Sequence, residues 1–137
     1  MMRYTHLVFA LLLFLTLNLI FQYPLYLAIF TLIGALVPDI DIKTRGLHRK
    51  LMHNIWVLMI ILAILFRLGL ADQKVAILFS IGFLSHLITD AMTIKGIQPL
   101  WPIKWPHFRG DITTGGLKEY FILIALFVIA VFVASKA

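Results

Sequence analysis

Apolar side chains run almost unbroken through four blocks of this chain, and polar ones collect between them. Residues 4–38 contain no formally charged side chain. That stretch is too long for one membrane helix, which takes about 20 residues, and long enough for two. Further apolar blocks occupy 54–66, 75–89 and 120–135. The pattern predicts an all-α fold, an integral membrane helical bundle of about five transmembrane or membrane-embedded helices in one domain. The first helix is expected over 6–21. A tight turn at Phe21-Gln22-Tyr23-Pro24 then leads into a second over 25–37. Pro38 cannot continue the hydrogen-bond ladder, and Gly46 adds a further break. A third helix is expected to start within 47–52, to carry His53 in an early turn and to run to about residue 70, with Arg67 snorkelling to the interface. The fourth is expected over 73–92, where Gly82 and Ser85 permit close helix packing, and the fifth over 117–134. Residues 1–17 have the basic start and apolar core of a signal peptide. No Ala-x-Ala-like site follows, so they are expected to stay as the first helix.

Composition narrows the class. Of 137 residues 62% are hydrophobic, with 12 Lys and Arg against 6 Asp and Glu, which excludes an ordinary soluble domain with a solvated surface. There is no cysteine, so disulfides and thiolate metal sites are excluded, and a metal would have to be held by His, Asp or Glu. The net charge of +6 fits topology and anionic headgroups better than nucleic acid. Membrane lipids are therefore the expected partners, and the oligomeric state is open. With five crossings, nine of the cations (Arg3, Lys43, Arg45, Arg49, Lys50, Lys95, Lys104, Arg109 and Lys118) fall on one side. Arg67, Lys74 and Lys136 fall on the other. By the positive-inside rule the nine are cytoplasmic, which puts the N-terminus inside and the C-terminus outside the cell membrane. Residues 95–116, rich in Gly, Pro, Trp and cations, read as a segment lying among the headgroups.

The chemistry concentrates in residues 38–53. Asp39, Asp41, His48 and His53 stand there with Lys43, Arg45, Arg49 and Lys50 in a chain otherwise poor in charge. An up-and-down hairpin brings His6 to the same face as Asp39 and Asp41. His86 and Asp90, four apart on a helix, point to one side of it. Seven donors, His6, Asp39, Asp41, His48, His53, His86 and Asp90, are thus expected at one end of the bundle. They suit a divalent metal, zinc first, with manganese or iron as alternatives. Seven donors exceed what one ion needs. Either two ions bind, with Asp39 or Asp41 as the bridging carboxylate and the ions about 3.5 to 4 Å apart, or some of the seven orient ligands or contact substrate. Each residue also has a plainer role: Asp39 and Asp41 as helix caps, His86 with Asp90 as an intramembrane hydrogen-bonded pair, His6, His48 and His53 as interfacial residues, and Glu119 as a helix-start residue. His107 and Asp111 share the four-residue spacing but lie in a loop interrupted by Pro and Gly.

These motifs resemble a known family. They are Thr5-His6, Leu36-Val37-Pro38-Asp39-Ile40-Asp41, His48-Arg49, Met52-His53-Asn54, and Gly82-Phe83-Leu84-Ser85-His86-Leu87-Ile88-Thr89-Asp90, followed by Thr93, Gly96 and Leu100-Trp101-Pro102. The chain is similar, over nearly its whole length, to the small membrane-bound metal-dependent hydrolases of bacterial and archaeal inner membranes. That group was formerly classed as a domain of unknown function, and it includes a LexA-regulated inner membrane protein. The family often has Ser or Thr where this chain has Met52 and Asn54. Its hydrolase label comes from likeness to zinc-dependent phospholipase C and single-strand nucleases. The resemblance implies His6, Asp39, His48 or His53, His86 and Asp90 as ligands. The later His-x-x-x-Glu pair of the soluble enzymes has no counterpart here. The expected activity is metal-dependent hydrolysis of a phosphoester on a lipid or lipid-linked substrate. Asp41 is expected as general base, Arg49, with Arg45 or Lys50, as the group neutralising developing charge, and Lys104 and Arg109 as headgroup contacts. A non-catalytic membrane scaffold stapled by a structural metal is the alternative. A metal or proton transporter fits less well, because the opposite half of every helix is apolar.

Overall fold

The computed structural model describes residues 1–40 and 52–136. Among these residues it holds five α-helices: α1 (Arg3–Phe21), α2 (Ala28–Leu36), α3 (Ile55–Arg67), α4 (Gln73–Ala91) and α5 (Leu117–Ala134). α1, α4 and α5 are long and apolar enough to cross a membrane; nineteen residues at 1.5 Å each reach about 28 Å, close to the hydrocarbon thickness. The apolar stretch Leu25–Asp39 and α3 are shorter. The all-helical membrane bundle expected from the sequence is therefore the architecture observed.

The helix boundaries differ from expectation where prolines and caps intervene. The second helix is α-helical only over Ala28–Leu36, with tighter 3₁₀ turns at Leu25–Leu27 and Val37–Asp39. Pro24 precedes the first of these turns, and Pro38, with no N–H to donate, sits inside the second. α3 begins later than expected. His53 is not in its first turn but just ahead of Asn54, whose extended backbone and side-chain carbonyl cap the helix by accepting the Val57 N–H at 3.0 Å. The Ile55 N–H donates to the Pro99 carbonyl at 2.8 Å, so the start of α3 is fixed by the distant 93–112 segment. The part of the expected start before residue 52 lies outside the described residues. α1 ends as expected at Phe21. Gln22 adopts the left-handed conformation (φ 49°), and its N–H returns to the Asn18 carbonyl at 3.0 Å.

The bundle is organised around α4. Its closest partner is α2, and two glycines allow the approach. A Cβ on Gly82 would lie 1.9 Å from the Thr31 carbonyl oxygen, and one on Gly34 would lie 2.2 Å from that of Phe79. Helix backbones therefore touch where no side chain could fit, a packing mode suited to lipid, where apolar burial alone does not drive helices together. α1 packs against α2, α4 and α5. Phe14, Leu27 and Leu78 form one apolar cluster, and Leu58, Phe79, Phe83, Leu87 and Ile97 another.

Polar side chains share the interior with the apolar clusters, while large apolar ones face outward. Thr5, His6, Thr31, His53, Ser85, His86, Asp90 and Glu119 are buried, while Ile60, Ile64, Phe121, Phe127 and Phe132 point outward. Between α4 and α5 the chain doubles back on itself. Ile97 and Phe108 exchange backbone hydrogen bonds of 2.8 and 3.0 Å, and the Ile94 N–H reaches the Ile112 carbonyl at 3.1 Å.

Candidate metal centre

Every described donor belongs to the same end of the bundle because helix direction alternates. His6 lies near the start of α1, Asp39 after α2, His53 before α3, and His86 and Asp90 in the last turns of α4. The structure brings these five together in two overlapping groups, His6 with Asp39 and His86, and His53 with His86 and Asp90. In each group one donor atom per residue lies within 4.8 Å of the others. The four side chains other than Asp39 are buried to within 3% of complete, and Asp39 is 15% exposed. The open edge of the cluster is therefore on the Asp39 side.

Local packing decides which atoms face inward. The Nδ1 of His86 is 2.7 Å from the Ala35 carbonyl, which can only accept, so Nδ1 carries the proton and Nε2 presents its lone pair. Ala35 is in the last turn of α2, where helix carbonyls are released from intrahelical bonding, and the Gly34/Gly82 crossing brings it within reach. His6 is fixed by the same logic at one remove. Its Nδ1 lies 2.6 Å from Thr89 Oγ1. The single Thr89 hydroxyl proton is directed at the Ser85 and His86 carbonyls, 3.0 and 2.9 Å away. With its proton on either carbonyl the hydroxyl accepts from His6 Nδ1, the arrangement that would leave His6 Nε2 with its lone pair. The two rings stack with centroids 3.8 Å apart and planes 13° from parallel.

The distances among inward-facing atoms fit a divalent ion. His53 Nε2 is 3.0 Å from His86 Nε2 and 3.3 Å from Asp90 Oδ2. Asp39 Oδ1 is 3.9 Å from His53 Nε2 and 3.7 Å from His86 Nε2, and Asp90 Oδ2 is 3.9 Å from His86 Nε2. A tetrahedron with metal bonds of about 2.0 to 2.1 Å has edges of roughly 3.3 to 3.4 Å, so the separations of His53, His86 and Asp90 suit three ligands around one centre, with Asp39 close to both imidazoles. Asp90 also faces the other way: Oδ1 lies 3.5 Å from His6 Nε2 and pairs with the Met1 ammonium. The ring protons held by Ala35 and Thr89 are the outer hydrogen bonds that usually orient metal-binding imidazoles.

Of the other residues singled out in the sequence, Asp41, Arg45, His48, Arg49 and Lys50 lie outside the described residues, as does Lys43. Lys104 and Arg109 are exposed on the 93–116 segment. Asp111 pairs with Lys118, whose hydrogen bond and charge hold its carboxyl below the usual range, and it takes no part in the cluster.

Glu119 has a larger role than a helix start. It is fully buried and accepts from the Met2 N–H at 2.5 Å, the Thr5 hydroxyl at 2.9 Å and the Gly115 N–H at 2.7 Å. It thereby clamps the first turn of α1, which carries His6, to the start of α5. The available signal was that it is the one Glu in the chain, standing at the head of an apolar helix.

The family model described as YdjM inner membrane protein matches residues 1–137, the whole chain. The inner membrane protein YdjM of Escherichia coli K12 is 43% identical over 51 residues, which cover 35% of this chain and 26% of that protein, and its Shigella flexneri counterpart gives the same figures. The matched stretch thus spans about a quarter of the length of those relatives. An uncharacterised protein of Bacillus subtilis strain 168, YvsG, is 28% identical over 123 residues, covering 75% of this chain and 74% of its own. No solved structure matches.

Proposed function

We propose, from the premise that this chain belongs to the YdjM inner membrane protein family, that it is a metal-dependent membrane hydrolase acting on a phosphoester of a lipid or lipid-linked substrate. The observation that carries this reading is the convergence of His6, Asp39, His53, His86 and Asp90 at one end of a membrane bundle. A bound divalent ion would supply Lewis acidity, polarising a phosphoryl oxygen and lowering the pKa of water towards neutrality. The described side chains would do the rest of the holding. His53, His86 and Asp90 grip one position, and His6 and Asp39 extend the donor set beyond what one ion requires. Asp39, at the open edge, lies where a phosphate group would enter. On sequence placement alone, Asp41 is assigned as the proton acceptor for water and Arg49, with Arg45 and Lys50, as the cations that neutralise charge on the departing phosphate. Zinc suits the nitrogen and oxygen donors best; manganese or iron would also be accepted. The donors would lie at the cytoplasmic face.

One observation favours a second reading. His53, His86 and Asp90 lie 3.0 to 3.9 Å from one another and Asp39 lies 3.9 and 3.7 Å from the two imidazoles; if Asp39 became a fourth ligand the zinc would be closed, which would make the chain a scaffold without catalysis. Metal analysis of the detergent-purified chain beside His86→Ala separates the outcomes. The hydrolase reading expects one or two equivalents of metal that are lost in the variant, with release of phosphate or phosphorylated headgroup from mixed micelles that stops on chelation and returns on reloading. Tightly held metal without turnover selects the scaffold, and a wild type that takes up no metal removes both.

A further inference from the structure

The face of α4 that runs beside the donors is apolar. Leu84, Leu87, Ile88 and Ala91 follow one another at helical spacing and form one wall of a groove of about 670 Å³, a size within the roughly 300 to 1,000 Å³ of small-molecule sites. Ile55 and Phe108 stand among its other walls. Leu84, Ile88 and Phe108 are 39%, 54% and 52% exposed. They belong to or lie against a membrane-crossing helix, so the groove opens sideways to the hydrocarbon.

One charged side chain, Arg109, is among the described residues lining it. Two glycines hold the Arg109 backbone against the end of α4. A Cβ on Gly110 would lie 2.2 Å from the Met92 carbonyl oxygen, and one on Gly96 would lie 2.2 Å from that of Phe108 and 2.6 Å from Arg109 Cβ. The paired Ile97 and Phe108 hydrogen bonds brace the same strand of chain. The backbone of Arg109 is therefore held at the C-terminal end of α4, the end that carries Asp90, and its side chain lines the groove there, while the apolar wall extends from that point towards the middle of the helix.

We propose that this groove binds one acyl chain of an anionic glycerophospholipid, with the phosphate meeting Arg109. An apolar trough opening to the bilayer with a cation at its headgroup end matches that amphiphile in polarity and order, and guanidinium is suited to paired hydrogen bonds with phosphate oxygens. Leu87 follows His86 and Ala91 follows Asp90 along α4, so a chain in the groove brings its glycerophosphate to the donor end of the helix. That the bound lipid is also the substrate rests on the hydrolase reading; its binding does not.

The test is native mass spectrometry of the detergent-purified full chain with added phosphatidylglycerol or phosphatidylcholine, alongside metal analysis of the same samples. Wild type is expected to retain one phosphatidylglycerol in preference to phosphatidylcholine by about tenfold, as a charge-assisted contact supplies. Ile88→Trp, which fills the trough, is expected to lose the bound lipid. Arg109→Gln, an exposed change that leaves packing alone, is expected to keep a lipid while losing the headgroup preference. Equal binding of both lipids in all three proteins overturns the proposal, and so does a dimer that Ile88→Trp dissociates, which assigns the groove to a second copy. A metal-free wild type with the expected lipid pattern removes the hydrolase reading and leaves the groove standing. Full metal content with indifferent lipid binding does the reverse.

Discussion

His86 is held by three different interactions, and each constrains a different freedom of the ring. The Ala35 carbonyl fixes its tautomer, the His6 ring fixes its plane by stacking, and the T-shaped contact with His53 sets the angle between their edges. His6 depends in turn on Thr89, which gives the hydroxyl a role the donor set alone does not reveal. Thr89→Val keeps the volume and removes the acceptor for His6 Nδ1. It is expected to lower metal affinity by about 10- to 100-fold, the usual cost of losing an outer hydrogen bond to a ligand, with helicity unchanged. Chelator competition beside circular dichroism measures it; undiminished affinity would mean that His6 is not a ligand. At this scale the i, i+4 relation of His86 and Asp90 was legible because spacing on one helix is a local property. The Glu119 clamp was not, because it depends on α1 meeting α5 across more than a hundred residues.

Between elements, the decisive contact is the crossing of α2 and α4. Gly82→Ala would place a methyl group 1.9 Å from the Thr31 carbonyl oxygen, which neither backbone can accommodate without separating. The expected loss is about 1 to 3 kcal/mol, as for other overpacked contacts. It should appear as a lower thermal midpoint in detergent accompanied by weaker metal binding, since Ala35 moves away from His86. A lower midpoint with unchanged metal affinity would uncouple the crossing from the site. The number and order of helices could be read from apolar runs, and Gly82 was visible as a packing residue. The late start of α3 could not be read, because Asn54 and the Pro99 carbonyl set it through a contact that sequence periodicity does not contain. Pro38 announced the end of α2 but not the 3₁₀ turn that carries Asp39.

For the molecule as a whole, the grouping of His6, Asp39, His53, His86 and Asp90 at one end follows from alternating helix direction, so for these five of the seven expected donors it was available from the sequence once the crossings were counted. The buried polar side chains and apolar exterior make the bilayer the solvent of this fold. The groove along α4 was beyond sequence reasoning, since it exists only where the 93–112 segment folds back against that helix. Orientation is an expectation from the sequence alone: the positive-inside rule, applied to the nine cations assigned to the donor side, predicts that side to be cytoplasmic. A periplasm-dependent phosphatase reporter fused after Ala137 is expected to be active, and the same reporter ahead of Met1 silent; the opposite result reverses the topology.

The turn between α3 and α4, where Gly69 takes φ 65°, divides the donors as well as the helices. His6, Asp39 and His53 precede it, and His86 and Asp90 follow it. Neither half of the chain holds either donor group whole, so an ion bound at the centre would be a cross-link between the two halves. Metal uptake would then record that the halves have found each other in the membrane, and the site would double as its own report of completed assembly.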